Sequence, residues 1–364
     1  MHWRKNWLYS KHKSLTQTLI TMKFGYWLPV FGGWLRNVEH ENMTPTWDYV
    51  KKLAQRSEKL GYDTTLIAEL NLNDIKGESA PSLDAWSTAA ALAAVTETLE
   101  IMVAVRPTFH SPALLAKQAA NIDHISNGRL TLNVVSSWWQ DEAKKYGVHF
   151  EQHDDRYART SEWLDVVDSL WKKDHFSFNG KYYKVEDNIL QPKPVSKPRP
   201  FIYAGGESDA AKELIAQKCD GYVMHGDAPD VISKRIDDMR RRRDKYGLPP
   251  MKFGVAAYTI VRDTDLEVKK ELDRITDVKS YSEGYKNYQQ WLAGTQLEKQ
   301  VSLEEYSVSN RGLRTGLTGT PGYIADRIGQ YEEIGVDFFL LQCSPQLEEM
   351  ERFSQSVIRA FVYQ

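Results

Sequence analysis

The sequence predicts an α/β protein folded as a single (β/α)8 (TIM) barrel with insertions after strands 4 and 7. Three observations lead there. Eight short apolar runs follow one another along the chain, amphipathic helical stretches alternate with them, and 364 residues suit one barrel with additions. Repeated strand-then-helix units argue for a parallel sheet, and eight of them suggest closure; an open doubly wound sheet is the alternative.

In order, the strand candidates are Lys23–Pro29, Thr64–Ala68, Leu99–Arg106, Leu130–Ser136, Phe201–Ala204, Gly221–His225, Phe253–Val261 and Asp337–Gln342. They are apolar almost throughout, as parallel strands buried on both faces are. Between them, Thr46–Leu60 carries apolar residues at helical spacing and stops at Gly61, Ser82–Thr96 is alanine-rich, and Pro112–Ser126 starts with proline and ends at Asn127-Gly128. Helical patterns continue at Asp209–Gln217, Asp230–Tyr246, Pro321–Ile334 and Gln346–Phe361. Two stretches break the rhythm. Phe176–Val185, between strands four and five, holds the hairpin signal Asn179-Gly180, and the proline-rich QPKPVSKPRP stiffens the way into strand five. Residues 272–319, between strands seven and eight, end in a glycine-rich run with Arg311 and Arg314 and read as a lid on the C-terminal side of the barrel. Met1–Thr21 is basic, has no acidic residue and lacks a secretory apolar core. It reads as a mis-called start or a disordered extension, leaving 22–364 as the barrel domain.

Composition excludes several classes. With 26% charged residues and a net charge of −2, no global field marks a nucleic-acid or membrane-surface binder. No apolar run approaches the ~18 residues of a membrane span. Cys219 and Cys343 stand far apart without CxxC spacing, which excludes a disulfide framework and suits a reducing, cytoplasmic compartment. Eleven Trp and nineteen Tyr are compatible with a pocket for a flat ring, or with packing alone.

In such a barrel the C-terminal ends of the strands face the active site. Here those ends carry the Phe31-Gly32-Gly33-Trp34 loop, Ala68-Glu69, Arg106-Pro107-Thr108, Asn133 to Trp139, Ala204 to Ser208, Met224-His225-Gly226, Tyr258 and Gln342-Cys343-Ser344. No cluster of His and carboxylates has metal-ligand spacing, so no metal is expected, and no GxSxG, GxxxxGK[ST] or post-strand GxGxxG occurs. What remains is a phosphate seat. Gly205-Gly206 lets the backbone approach closely, and the helix opening near Asp209 presents free N–H groups. The plainer readings are that Asp209 is only an N-cap, that Asn133 ties down a strand end, and that His153 and Tyr157 cap a helix with Asp154.

Several further stretches occur together: KQAANIDHISNGR at Lys117–Arg129, Asn133-Val134-Val135-Ser136-Ser137-Trp138, His153-Asp154-Asp155-Arg156-Tyr157, Phe178-Asn179-Gly180, Gln191-Pro192-Lys193-Pro194, Tyr203-Ala204-Gly205-Gly206 and Ile260-Val261-Arg262-Asp263-Thr264. On these, the chain from Lys23 onward resembles the bacterial-luciferase-like flavin-dependent monooxygenases, and within them the dimethyl sulfone and alkanesulfonate monooxygenase branch. The resemblance implies FMN used as FMNH2, supplied by a separate NAD(P)H-dependent reductase that binds transiently, with O2 as co-substrate. It implies cleavage of the C–S bond of a small organosulfur compound, giving an aldehyde with sulfinate or sulfite. It also implies a homodimer or homotetramer.

By the same resemblance, Asn133, Ser137, His153 and Tyr157 line the flavin, Ala204, Gly205, Gly206 and Ser208 hold its phosphate, and Ala68 and Ala104 approach its ring. Trp34, Glu69, Arg106, Trp138, Arg311 and Arg314 are the implied substrate residues. His153, His225, Tyr258 and Arg311 are the catalytic candidates for proton and charge handling. Three departures stand out. Glu207 occupies a position where the family turn has a hydroxyl, and is expected to point outward so that backbone amides and Ser208 meet the phosphate. Ala256 and Tyr258 stand where alkanesulfonate enzymes offer Arg and His, and Ser82 where they offer Cys. Loss of that arginine removes a charge-assisted contact to an oxyanion and favours a neutral sulfone, while Arg311 or Arg314 keeps an alkanesulfonate monooxygenase open. An oxidoreductase of the same barrel using F420 or FMN, and a non-catalytic flavin-binding protein, are the remaining alternatives.

Overall fold

The computed structural model describes residues 22–36, 38–277 and 312–359, with Ser302, Glu305 and Val308 between them. The extension 1–21, Arg311 and most of the 272–319 insertion lie outside the described residues, as do the side chains of His153 and Asp154.

Eight strands form the barrel: β1 (Lys23–Trp27), β2 (Thr64–Ile67), β3 (Glu100–Val105), β4 (Leu130–Val135), β5 (Phe201–Gly205), β6 (Gly221–Met224), β7 (Lys252–Tyr258) and β8 (Phe338–Gln342). They close in the order β1-β8-β7-β6-β5-β4-β3-β2 with every neighbour parallel. The helices are α1 (Trp47–Leu60), α2 (Ala85–Val95), α3 (Pro112–Ile125), α4 (Gln140–Lys145), α5 (His153–Lys172), α6 (Asp209–Lys218), α7 (Pro229–Asp244), α8 (Asp265–Thr276), α9 (Pro321–Glu333) and α10 (Gln346–Phe353). The ends follow from local chemistry. Thr46 caps α1 by accepting from the Tyr49 N–H, and Gly61 closes it at φ +87°. Thr264 and Glu267 form a capping box on α8. None of the described helices is long and apolar enough to cross a membrane.

Both irregular regions differ in detail from expectation. After β4 the chain forms α4 and α5 before an antiparallel hairpin of Phe176–Asn179 with Lys184–Asn188. Its loop has four residues, Gly180 to Tyr183, because the Glu162 carboxylate of α5 gathers the N–H groups of Lys181, Tyr182 and Tyr183. The seventh strand, expected to reach Val261, leaves the barrel at Tyr258. Thr259 donates its N–H to Gln342 and its hydroxyl to the Leu317 carbonyl, and Ile260–Val261 then pairs with Thr318–Gly319 in a separate parallel strip.

Alternation along the strands builds two cores. Ile101, Val103, Leu132, Ile202, Tyr222, Val255 and Phe339 turn outward into the layer beneath the helices. Leu66, Met102, Tyr203, Val223, Phe338 and Leu340 turn inward and fill the lumen. Gly254 on β7 is required by this filling. A Cβ there would lie 2.2 Å from the Phe338 ring, inside any real contact distance. Gly254→Ala is therefore expected to cost about 1–3 kcal/mol in denaturant unfolding through overpacking; an unchanged midpoint would show that the ring gives way freely.

Candidate active site

Two residues beyond the lumen layer, the same alternation sets the rim of the C-terminal mouth. Met102 is followed by Ala104, Thr131 by Asn133, Tyr203 by Gly205, Val223 by His225, Gly254 by Ala256 and Leu340 by Gln342, while Ala68 follows Leu66 just past β2. Ala104 pairs with Asn133 across β3 and β4, and Ala256 with Leu340 across β7 and β8. Ala68, Ala104, Gly205 and Ala256 have almost no side chain, so they leave room above the packed lumen. Around that room stand buried polar atoms without a hydrogen-bond partner among the described residues: Asn133 Oδ1, Ser137 Oγ, Gln342 Nε2 and Trp27 Nε1. An unmet buried polar group costs about 1–3 kcal/mol. Several on one rim, offering an acceptor, two donors and a hydroxyl, suit a flat ligand whose edge carries both C=O and N–H groups.

The Gly205-Gly206 turn joins this rim to α6. A Cβ at Gly206 would sit 2.6 Å from Ala211 Cβ, so only glycine allows the helix to approach. The Tyr157 hydroxyl of α5 lies 3.6 Å from that same position, and the Tyr222 hydroxyl donates to the Gly206 carbonyl at 2.8 Å. Ser208, not Asp209, is the N-cap of α6, and its hydroxyl accepts from the Ala211 N–H. Ala204 turns its methyl into the outer layer and can offer only its backbone. Glu207 corrects an expectation. Its side chain is 10% exposed and turns inward, 3.4 Å from His225 Nδ1, because the imidazole at the end of β6 gives the carboxylate a polar partner inside the mouth.

A family model described as luciferase-like monooxygenase matches residues 22–337. The chain belongs to the luciferase-like monooxygenase family. It is 34% identical over 352 residues to an FMNH(2)-dependent dimethylsulfone monooxygenase of Pseudomonas putida, covering 93% of this chain and 94% of the relative. A second enzyme of that description, from Pseudomonas fluorescens (strain Pf0-1), is 34% identical over 348 residues with 93% of each chain covered. Among solved structures, a long-chain alkane monooxygenase superposes with a TM-score of 0.79 at 21% identity, covering 93% of this chain and 90% of that one. At that identity the likeness concerns the fold.

The residues read as substrate contacts in this luciferase-like barrel are mostly engaged with other side chains. Arg106 makes a two-pronged ion pair with Glu142, its N–H donates to Glu69 at 2.7 Å, and its guanidinium lies 4.0 Å over the Phe109 ring. Glu69 also meets His110. Arg314 pairs with Glu305 and lies 4.0 Å from Asp227. Trp34 is buried, its indole N–H donated to Gln346 and its ring edge-on to Trp27. Trp138 is half-buried and stacks on Trp139 at 5.5 Å and 5°. Arg311 lies outside the described residues, and of His153 only the place at the start of α5 is described. Trp27 was not singled out from sequence, and Gln342 was placed on the rim without a role; both stand at the end of a strand, but nothing in the sequence marked which way they turn. Glu142 had no such signal, since its partner is 36 residues away.

His225 and Tyr258 differ as proton carriers. Tyr258 is buried among Leu35, Ile260, Ile275 and Val308, and its hydroxyl has no partner among the described atoms. Burial holds its pKa well above the usual phenol range, so it stays a neutral hydroxyl that can donate or accept a hydrogen bond. Enough protein surrounds the His225 ring to push its pKa from 6.5 to about 4, with the Arg235 charge adding to the effect. Yet 42% of the side chain is open to solvent, as befits a group lining a deep hollow. The folded state thus resists protonating His225 more than the unfolded chain does. Its contribution is full above pH 6.5 and is lost as pH falls towards about 4. A His225→Asn variant should lose less stability than the parent between these pH values in urea titrations; parallel curves would show an unshifted ring.

Proposed function

We propose that the chain is an FMNH2-dependent two-component monooxygenase that uses O2 to cleave the C–S bond of a small neutral organosulfur compound, a sulfone of the dimethyl sulfone type. The observation that carries this reading is the mouth itself, a small-residue floor ringed by unsatisfied polar atoms. That set fits the isoalloxazine ring. Asn133, Ser137, Gln342 and Trp27 would meet its polar edge over Ala68 and Ala104, and the backbone of Gly205 and Gly206 with the Tyr157 hydroxyl would hold the phosphate near the start of α6. Bound reduced flavin supplies the electrons that activate O2. With dimethyl sulfone the balance is one sulfone, one O2 and one FMNH2 giving formaldehyde, methanesulfinate, FMN and water.

The protein's own part is positioning, water exclusion and proton handling. His225, neutral near pH 7, accepts a proton at the mouth, and Tyr258 is a donor. His153, opening α5, is the second proton carrier, and Arg311 acts from the insertion. Residues 22–364 form the barrel domain; 1–21 and most of 272–319, read as a separate extension and a lid, lie outside the described residues. The reductase and a second copy of the chain are the expected partners, the first transient, the second in a homodimer or homotetramer. Neutrality of the substrate is supported by charge. Arg106, Arg235 and Arg314 already hold carboxylates, and Ala256 leaves β7 without a cation. An anion would have to displace those carboxylates.

The test is aerobic turnover of purified protein with a separate NADH-dependent FMN reductase and a panel of sulfones and alkanesulfonates. Aldehyde and sulfinate from dimethyl sulfone, with alkanesulfonates at least about 100-fold slower (about 2.7 kcal/mol), is the expected result. Sulfite from alkanesulfonates at equal rate would replace the substrate class, and absence of product from every compound despite flavin binding would overturn the activity. Asn133→Ala and Gln342→Ala should each weaken FMN about tenfold in fluorescence titrations.

A further inference from the structure

We propose that Glu142 is a positioning residue: through its buried ion pair with Arg106 it holds the Ser137–Trp139 segment in place at the barrel mouth. Its relevance to turnover rests on the proposed monooxygenase reading, whereas the positioning itself does not.

The segment needs an anchor. β4 ends at Val135, and Ser137, Trp138 and Trp139 lead directly into α4, which has only six residues. A helix that short does not persist by itself in water. Trp139 stands at its N-cap position and gives no side-chain cap. Two residues of α4 are buried, Glu142 and Ala143. Ala143 offers one methyl, so the specific hold comes from Glu142, whose side chain is fully buried. Its carboxylate receives both terminal nitrogens of Arg106, one of them at 3.1 Å, and the Asn71 N–H at 2.5 Å. Just past the helix, the Tyr146 hydroxyl donates to the Asn71 carbonyl at 3.0 Å.

The other end of the clamp is fixed independently. Arg106 follows β3 directly, its backbone N–H is held by Glu69, and its guanidinium is 3.6 Å from the same carboxylate and stacked over Phe109. One buried contact therefore ties the helix after β4 to the ends of β2 and β3. A buried guanidinium left without its carboxylate is strongly unfavourable, which makes the pairing selective for one placement of α4. Ser137 is also fully buried with an unpartnered hydroxyl, five residues before the clamp, and the stacked Trp138–Trp139 pair lies between them. Arg106 thus acts on the site through Glu142 and is not an oxyanion receptor.

The experiment uses the full chain and compares Glu142→Gln with Glu78→Gln. The second variant breaks only the exposed pair between Lys145 of the same helix and Glu78 in the segment before α2. Tryptic cleavage after Lys144 and Lys145 is followed by mass spectrometry, with cleavage at Arg240–Arg243 of α7 as an internal reference. E142Q is expected to speed cleavage in α4 about tenfold and leave α7 unchanged, as local opening does. It should also raise KM for the organosulfur substrate several-fold more than it lowers kcat. E78Q should behave as the parent in both assays. Equal acceleration at both sites, or at neither, overturns the proposal. If E142Q does not fold, Glu142→Asp keeps the charge with a shorter reach and should give intermediate cleavage in α4; parental cleavage there overturns the proposal equally. A parent enzyme without turnover would count against the monooxygenase reading, and the cleavage comparison would still decide the role of Glu142.

Discussion

Closing eight parallel strands buries both faces of each, and the chemistry of the mouth follows from which residues alternation then turns inward. The lumen below is filled by Leu66, Met102, Tyr203, Val223, Phe338 and Leu340, so nothing can bind there. Two residues further on, the strands run out of partners to pack against. Large side chains at those positions would continue the filling. Alanine and glycine stop it, at Ala104, Gly205 and Ala256, and the remaining positions carry Asn133, His225 and Gln342. The cavity is thus made by truncating a packed core rather than by adding walls. Asn133 Oδ1, Ser137 Oγ and Gln342 Nε2 have no partner among the described residues, a state a bound ligand would relieve.

Charge is handled by a second constraint. A guanidinium placed beside this apolar lumen must be neutralised by the fold itself. Each carboxylate comes from another element: Glu142 of α4 and Glu69 after β2 for Arg106, Asp227 for Arg235, Glu349 of α10 for Arg262. The Arg106 and Arg262 pairs join the segments after successive strands, so there neutralising the arginine and fastening the segments over the barrel are the same interaction. The mouth that results is lined by neutral donors and acceptors and the Glu207 carboxylate, with these arginines already matched.

This division explains what the sequence made legible. The eight strands and the helices read between them stand where the alternation of apolar runs and amphipathic stretches placed them, and the Gly205-Gly206 turn sits at the start of α6; α4 and α8 carried no such reading, and of α5 only the start at His153 did. Strand ends were less visible. Phe253–Val261 reads as one apolar run, and only Thr259, bonded to both Gln342 and Leu317, divides it into β7 and the strip beside it. Strand parity was hidden for a related reason. When both faces are apolar, period-two contrast vanishes, so the inward turn of Trp27 and Gln342 and the outward turn of Ala204 could not be read. Ion pairs were the least visible of all. Arg106 and Arg314 read as free cations because Glu142 and Glu305 are selected by folded geometry, not by spacing.

Glu207 shows how these constraints meet. Beside a helix N-terminus and a glycine turn, a carboxylate would oppose an anionic ligand if it faced the same amides. Its position 3.4 Å from His225 Nδ1 assigns it a different neighbour, on the β6 side of the turn, while the Tyr157 hydroxyl approaches Gly206 from α5. The turn therefore has two unlike flanks. One carries a carboxylate next to an imidazole held neutral by its surroundings; the other carries a phenol hydroxyl next to a backbone that only glycine permits. A phosphate is compatible with the second flank, and proton transfer with the first. A single turn of four residues can serve both because its side chains diverge where its backbone cannot.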